Sequence, residues 1–130
     1  MTKAIRIYET GGPEVLRWEE DDPGKPGAGE ALVRHEAVGL NFIDVYHRTG
    51  LYPLPALPAV PGLEGAGIVE EIGEGVSEVA VGDRVAYAAI PPGAYAEVRR
   101  IPAHRLIKLP ENIPTSQGAA MMLQGMTARY

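Results

Sequence analysis

The sequence contains no cysteine among its 130 residues. This absence excludes a disulfide framework, a thiolate zinc site, an iron–sulfur cluster and a cysteine nucleophile. The sequence also lacks an apolar run of the roughly 18 residues that a membrane-spanning helix needs. Its start has neither a long apolar run nor a small-residue cleavage site, so we expect no signal peptide. Together these absences predict a cytoplasmic protein that does not contact a membrane.

Basic residues are in the minority. Lys and Arg number 12 against 17 Asp and Glu, which gives a formal net charge of -5. This balance, together with the lack of a basic–aromatic patch, predicts no nucleic-acid partner. A dinucleotide-binding fingerprint is also missing. The glycine-rich run at 62–75 leads into a predicted strand, whereas the fingerprint must open a helix.

Glycine and proline are abundant, with 16 and 12 residues, but 45% of the chain is hydrophobic. This combination predicts many short strands separated by tight turns. The proline-rich stretch 51–62 is predicted to be an extended surface loop. One helix is expected at about 41–49, and another begins near 114–116 with Thr115 or Ser116 as its N-cap. The predicted strands are Lys3–Glu9, Val15–Glu20, Ala31–Leu40, Gly65–Gly73, Gly82–Ile90, Gly93–Pro102 and a short one within 104–110.

These elements predict a mainly β fold, a small and partly open β-barrel with helical additions. The densest group of chemically active side chains is the segment 41–53, NFIDVYHRTGLYP. One interpretation is a capped surface helix whose inner face carries Phe42, Val45, Tyr46 and Thr49. The other interpretation is that the first turn of this helix faces a ligand.

Local signals support the capped helix. Asn41 is a good N-cap, and Asp44 stands where a capping box places its acceptor. Asp44 and Arg48 are four residues apart with the acid first, which favours an ion pair along the helix. Gly50 is a natural helix stop.

Five blocks spread along the chain carry a family resemblance. They are GGPEVLRWEE, VGLNFIDVYHRTGLYP, LPAVPGLEGAGIVEEIGEGVSEVAVGDRVAY, GAYAEV and LQGMTARY. In this order they resemble the N-terminal catalytic domain of the medium-chain dehydrogenase/reductase superfamily, within its zinc-free quinone oxidoreductase (zeta-crystallin-like) branch. The resemblance implies a GroES-like barrel over 1–113. It also implies that 114–130 begin the helix leading to a Rossmann cofactor domain that this chain does not contain.

The resemblance implies NADPH as cofactor, bound mostly by that absent domain, and direct hydride transfer to a small quinone or enone. The choice of NADPH over NADH rests on family habit. Zinc-dependent relatives place a Cys at the position of Asn41 and a His at that of Leu63. Glu64 remains, but a single carboxylate does not make a zinc site, and the three histidines lack ligand spacing. We therefore expect no metal, and we expect the chain alone to be inactive.

Site residues follow from the resemblance. Asn41 is predicted to offer its amide to the nicotinamide or to a substrate carbonyl, and Tyr46 to donate a hydrogen bond or a proton to a quinone oxygen. Tyr52 is predicted to line the substrate cleft. Glu64 either anchors a turn or lies near that cleft. Thr127 is placed near the nicotinamide carboxamide, with Gln124 one turn earlier, whereas His47 and Arg48 are predicted to be structural or on the surface.

Two alternatives stay open at this stage. Enoyl-thioester or alkenal reduction is a close variant of the quinone reductase hypothesis. A non-enzymatic GroES-like interaction module is the hypothesis from a different class. In either case the last helix carries Met121, Met122, Leu123 and Met126, whose apolar side needs cover. We expect a rearranged terminus, a detached helix or self-association through this patch.

Overall fold

The computed structural model describes residues 2–129, leaving out the side chains of Gln124 and of 126–129. Short strands separated by turns make up most of the regular structure, as the composition predicted. Two single-turn 3₁₀ helices lie at Pro13–Val15 and Ala103–Arg105. The remaining elements are β1 (Thr2–Arg6), β2 (Arg17–Asp21), β3 (Glu30–Val38), α1 (Phe42–Thr49), β4 (Glu64–Ile72), β5 (Arg84–Ala88), β6 (Val98–Pro102), β7 (Ile107–Lys108) and α2 (Thr115–Arg129).

The strands form two antiparallel sheets. β1 and β2 make a hairpin, and the larger sheet has the order β6-β3-β4-β5-β7. Isolated bridges from Ala4 to Ala96 and from Ile7 to Ala59 tie the hairpin to the rest of the fold. The arrangement confirms the predicted mainly β, partly open GroES-like architecture.

Several predicted strands are shorter in the structure, and two of them show why. The first strand ends at Arg6, because Ile7 exchanges hydrogen bonds with Ala59 of the proline-rich segment (2.9 and 3.0 Å). The predicted strand 93–102 forms a ladder only from Val98. The backbone N–H groups of Gly93 and Ala94 instead donate to the carbonyl of Gly62 (2.9 and 3.1 Å). These two residues therefore pair with the turn at 61–62 and not with β3.

The main hydrophobic core is built from residues of the larger sheet and of the segments that connect its strands. Close approach of β3 and β4 requires Gly67, since a Cβ there would overlap the carbonyl of Arg34. The same crossing contains a register shift between His35 and Ala37. The buried cluster is built mainly from branched and small side chains: Ala31, Val33, Val69, Val79, Val85, Tyr87, Ala94, Ile101, Ala103 and Leu106.

A polar chain crosses this core. Arg99 Nη1 donates to the Tyr87 hydroxyl (3.4 Å), and that hydroxyl contacts His35 Nε2 (2.7 Å). His35 Nδ1 lies 2.7 Å from the carbonyl of Ala96. A carbonyl only accepts, so Nδ1 carries the imidazole proton and Nε2 accepts from Tyr87. Burial raises the pKa of Tyr87, which keeps its hydroxyl protonated.

The helix α2 packs on the outer face of the larger sheet. Ala119 and Met122 are buried against Ala66 and Ala86. The expectation of a detached helix is therefore wrong for the described part of α2, because small side chains on β4 and β5 let the helix approach closely. Met121 stays exposed, and self-association remains a prediction.

The predicted cap of α2 is also wrong. Thr115 is the first helical residue, and its hydroxyl donates to Glu36 Oε1 (2.9 Å) at the end of β3. Neither Thr115 nor Ser116 precedes the helix, so neither occupies the capping position. Within the described residues 2–129, no helix combines the length and apolarity needed to cross a bilayer.

Candidate active site

The helix α1 has the predicted ends but the opposite inner face. Asn41 is its N-cap, and Gly50 closes it in the left-handed conformation (φ 88°). The buried residues of α1 are Asp44 and His47, 3% and 9% exposed, whereas Phe42 is 82% exposed. The expected aromatic inner face is therefore wrong. Polar partners elsewhere in the fold decide which face is buried.

Asp44 is held by two donors. Its Oδ2 accepts from the backbone N–H of Asn41 (3.1 Å) and from the Tyr95 hydroxyl (2.7 Å). Burial, followed by this hydrogen bond to Asp44, raises the pKa of Tyr95, so the hydroxyl stays a donor. The predicted Asp44–Arg48 ion pair is wrong: Arg48 Nε donates to the carbonyl of Gly11 instead (3.2 Å).

Tyr95 is a site residue that the sequence reasoning missed. It lies in the GAYAEV block, but nothing local indicates that its hydroxyl reaches α1. Its ring fits because Gly62 has φ 101° and no side chain; a Cβ there would lie 2.6 Å from Tyr95 Cδ1. The glycine after Pro61 was the available signal, since only a glycine tolerates that conformation at such close range.

Glu64 accepts hydrogen bonds from the N-cap of α1 and from the backbone of α2. It is 1% exposed, and its Oε1 accepts from Asn41 Nδ2 (2.8 Å). Its Oε2 accepts from the backbone N–H of Leu123 in α2 (2.9 Å). Gly39 provides the space, because a Cβ there would overlap the Glu64 carboxylate and the carbonyl of Ala119. The contacts place Asn41 and Glu64 together and bring the α2 backbone beside them.

Tyr46 and Tyr52 form a second pair. Their rings meet edge to face, with centroids 5.4 Å apart and planes at 78°. The backbone N–H of Tyr52 donates to the carbonyl of Tyr46 (3.2 Å), which fixes the start of the proline-rich segment on α1. Within the described part of the chain, the Tyr46 hydroxyl has no hydrogen-bond partner. It is therefore available to a ligand.

The surface beside Asn41 is open and apolar. Leu40 and Tyr52 are 79% and 55% exposed, and they border α1 together with Phe42. Exposed aromatic and aliphatic side chains next to an amide suit a flat heteroaromatic ring. The residues present therefore fit a nicotinamide ring. The side chains of Gln124 and Thr127 lie outside the described residues, so their predicted contacts stay predictions.

The same residues do not fit a catalytic zinc ion. Among the described residues, no group of three or more His, Cys, Asp or Glu side chains comes together. By the family resemblance, Asn41 and Leu63 occupy the positions that zinc-dependent relatives use for ligands. Both oxygens of Glu64 already accept hydrogen bonds from N–H donors.

The two antiparallel sheets, the capped helix α1 and the buried Glu64 beneath it define the class, a GroES-like barrel of the medium-chain dehydrogenase/reductase superfamily. Residues 27–111 match the alcohol dehydrogenase GroES-like domain family. The chain belongs to this family.

Curated relatives match the whole chain. A quinone oxidoreductase of Pseudomonas aeruginosa is 50% identical over 130 residues, which cover all of this chain and 40% of the relative. A 2-haloacrylate reductase of a Burkholderia species is 43% identical over 136 residues, with the same coverage. The chain thus spans about two fifths of the length of these relatives.

A solved structure gives the same result in three dimensions. The Escherichia coli quinone oxidoreductase in complex with NADPH superposes with a TM-score of 0.96 at 45% identity. The match covers 98% of this chain and 39% of that one. Two of these relatives are quinone oxidoreductases, and the third is a 2-haloacrylate reductase.

Proposed function

We propose that this chain is the GroES-like catalytic portion of an NADPH-dependent quinone oxidoreductase that works without zinc. One observation carries the zinc-free part of the proposal, the hydrogen bond from Asn41 Nδ2 to Glu64 Oε1. An amide tied to a buried carboxylate occupies the position of a thiolate ligand in the zinc-dependent relatives. The identity of 50% to a quinone oxidoreductase supports the substrate class.

Asn41 would hold the cofactor ring through its amide. One Nδ2 hydrogen is used by Glu64, so the second is free to meet the nicotinamide carboxamide or a substrate carbonyl. Leu40 and Phe42 would cover the ring and exclude water from it. When bound, the reduced nicotinamide supplies a hydride, which carries both electrons of the reaction.

Tyr46 would supply the proton. Reduction of a quinone or enone adds one hydride and one proton, and the proton must reach an oxygen at the end of the conjugated system. The Tyr46 Oη donates it and takes a replacement from water, to which the partly exposed ring has access. Tyr52 packs edge-on against Tyr46 and limits where that hydroxyl can point.

A second candidate is the reduction of an activated carbon–carbon double bond. The 43% identity to a 2-haloacrylate reductase favours it. The same hydride-and-proton addition applies, with the proton delivered to a carboxylate or carbonyl oxygen of the acceptor or to its carbon through water. Assays with 1,4-benzoquinone, 2-cyclohexenone and 2-chloroacrylate separate the two candidates by relative kcat/KM.

A chimera tests the proposal. Replacing the matching 130 residues of the P. aeruginosa quinone oxidoreductase with this chain joins the barrel to a cofactor domain from a relative with 50% identity. We expect NADPH-dependent quinone reduction, insensitive to chelators. Tyr46→Phe should lower kcat by about 10²-fold, at the lower end of what a positioned proton donor contributes.

Thr49→Ala is the matched control for Tyr46→Phe. Thr49 lies on the same helix, is exposed, and donates only to the carbonyl of Tyr46, so its loss should leave kcat unchanged. A folded chimera that binds NADPH but reduces none of the three acceptors would favour the interaction module. If activity is unchanged in both Asn41→Ala and Tyr46→Phe, neither residue has the role proposed for it.

A further inference from the structure

A second cleft lies apart from the Asn41 and Tyr46 site. It encloses about 410 Å³ between the proline-rich segment 53–55 and the turn 90–92. None of Asn41, Tyr46, Tyr52 and Glu64 lines it. Its walls are mainly proline rings, contributed by Pro53, Pro55, Pro91, Pro92 and Pro102, together with Leu54 and Ile90.

His47 contributes a buried polar group to this cleft. The side chain comes from the inner face of α1 and is 9% exposed. Its Nδ1 has no hydrogen-bond partner within the part of the chain that the structure describes. That nitrogen is enclosed and has no accessible surface, so a ligand in the cleft meets only the rest of the His47 ring.

Every charged or titratable side chain that lines the cleft is basic. His104 and Arg105 are exposed and join His47 there, and no acidic residue lines the cleft within residues 2–129. The whole chain has a net charge of -5, so this local excess of basic groups runs against the overall composition. Arg and His donors in one recess favour a carboxylate, which accepts from both.

The walls are preformed. Arg99 is buried and donates through Nη2 to the carbonyls of Pro91 (3.0 Å) and Pro92 (3.5 Å). Proline rings fix the backbone φ on both sides of the cleft. A ligand therefore enters a rigid apolar slot and loses little affinity to ordering the protein.

We propose that this cleft binds a small organic carboxylate, with its apolar body between the proline rings and its charge on His104 and Arg105. The volume suits a compact ligand. The proposal does not depend on the reductase activity, because the two sites share no residue. It assigns the chain a binding function beyond the hydride-transfer site.

Three probes at equal concentrations test the two halves of the proposal, with binding followed by the imidazole NMR signals of the 130-residue chain. Benzoate carries both features, benzyl alcohol only the apolar body, and inorganic phosphate only the charge. We expect saturable binding of benzoate with a Kd on the order of 1 mM, and binding at least about tenfold weaker for the other two.

Variants locate the binding. Arg105→Gln should weaken benzoate about fivefold, as expected for the loss of one exposed charge. Lys25→Gln is the control, since it removes the same charge from an exposed residue outside the cleft. It should leave the Kd unchanged, and thermal melting of each variant checks its fold.

Other outcomes overturn the proposal. If benzyl alcohol bound as tightly as benzoate, the cleft would not recognise the carboxylate. If phosphate bound as tightly, the apolar walls would not contribute to binding. A benzoate Kd that is the same in Arg105→Gln and in Lys25→Gln would place the ligand elsewhere.

Discussion

His35 is a histidine that the fold keeps neutral. Burial, opposed by the hydrogen bond to Ala96 and assisted by the charge of Arg99, lowers the pKa of His35 from the ordinary 6.5 to about 4. A neutral ring can donate from Nδ1 to that carbonyl while Nε2 accepts from Tyr87. Protonation would place a hydrogen on Nε2, which could then no longer accept the hydrogen bond from the Tyr87 hydroxyl.

This difference in pKa makes stability depend on pH. Between pH 6.5 and about 4 the unfolded chain binds a proton at His35 that the folded chain does not, so stability is complete above pH 6.5 and falls as the pH drops. Between pH 6.5 and 5 we expect a loss of about 2 kcal/mol in the free energy of unfolding. Urea titrations at several pH values measure it.

His35→Gln should remove this slope, because no group titrates at that position. His104→Gln is the matched control: His104 is exposed, so its removal should leave the slope in place. An unchanged slope in His35→Gln would show that another group is responsible.

The sequence showed part of this residue pattern. The polar members of 31–40 broke the two-sided alternation expected of a strand, and His35 was one of them. What the sequence did not show is the reason, since the partners Tyr87 and Arg99 lie 52 and 64 positions further along the chain. Only the register of β3 against its neighbours brings them together.

At the scale of elements, Glu64 is where three of them meet. It starts β4, binds the cap of α1 through Asn41, and binds the backbone of α2 at Leu123. A carboxylate that accepts from two separate helices couples their positions. The amide of Asn41 is therefore oriented by a residue outside its own helix.

Glu64→Ala should destabilise the fold by about 3 kcal/mol, because it removes the buried acceptor of the Asn41 amide, loses the contact with α2 and opens a cavity. Glu71→Ala, an exposed glutamate on the same strand, should change stability by less than about 0.5 kcal/mol. Urea unfolding of both variants measures the difference. Equal effects in the two variants would show that Glu64 does not join the helices.

The helix α1 shows which element-level predictions hold. Its position and both ends are local properties, set by Asn41 and Gly50, and they were confirmed. Its buried face was predicted from hydrophobic periodicity and was wrong. Asp44 is buried because Tyr95, 51 positions away, donates to it, and periodicity carries no information about such a partner.

At the scale of the whole molecule, the proposed function makes the chain one side of a cofactor cleft. The open apolar surface at Leu40 and Phe42 has no cover within the described residues. The sequence lacks the glycine-rich turn into a helix that grips a dinucleotide diphosphate. Binding energy from those remote groups normally positions the reacting ring.

We therefore predict that the isolated 130-residue chain binds NADPH only weakly, with a Kd above about 1 mM, and reduces quinones no faster than the buffer does. Isothermal titration calorimetry and an assay of NADPH oxidation measure the two quantities. The chimera described above serves as the positive control. Micromolar NADPH binding by the chain alone would overturn the division of the cleft between two domains.

The sequence by itself determined the mainly β class, the ends of α1, the family and the lack of thiolate ligands. These follow from local composition, turn chemistry and motifs that stand close together in the chain. Tertiary structure alone decided that Asp44 and His47 face inward and that Glu64 spans two helices. It also decided that α2 lies on the sheet. Each of these depends on contacts between residues far apart in the chain, which form only when the sheet has closed.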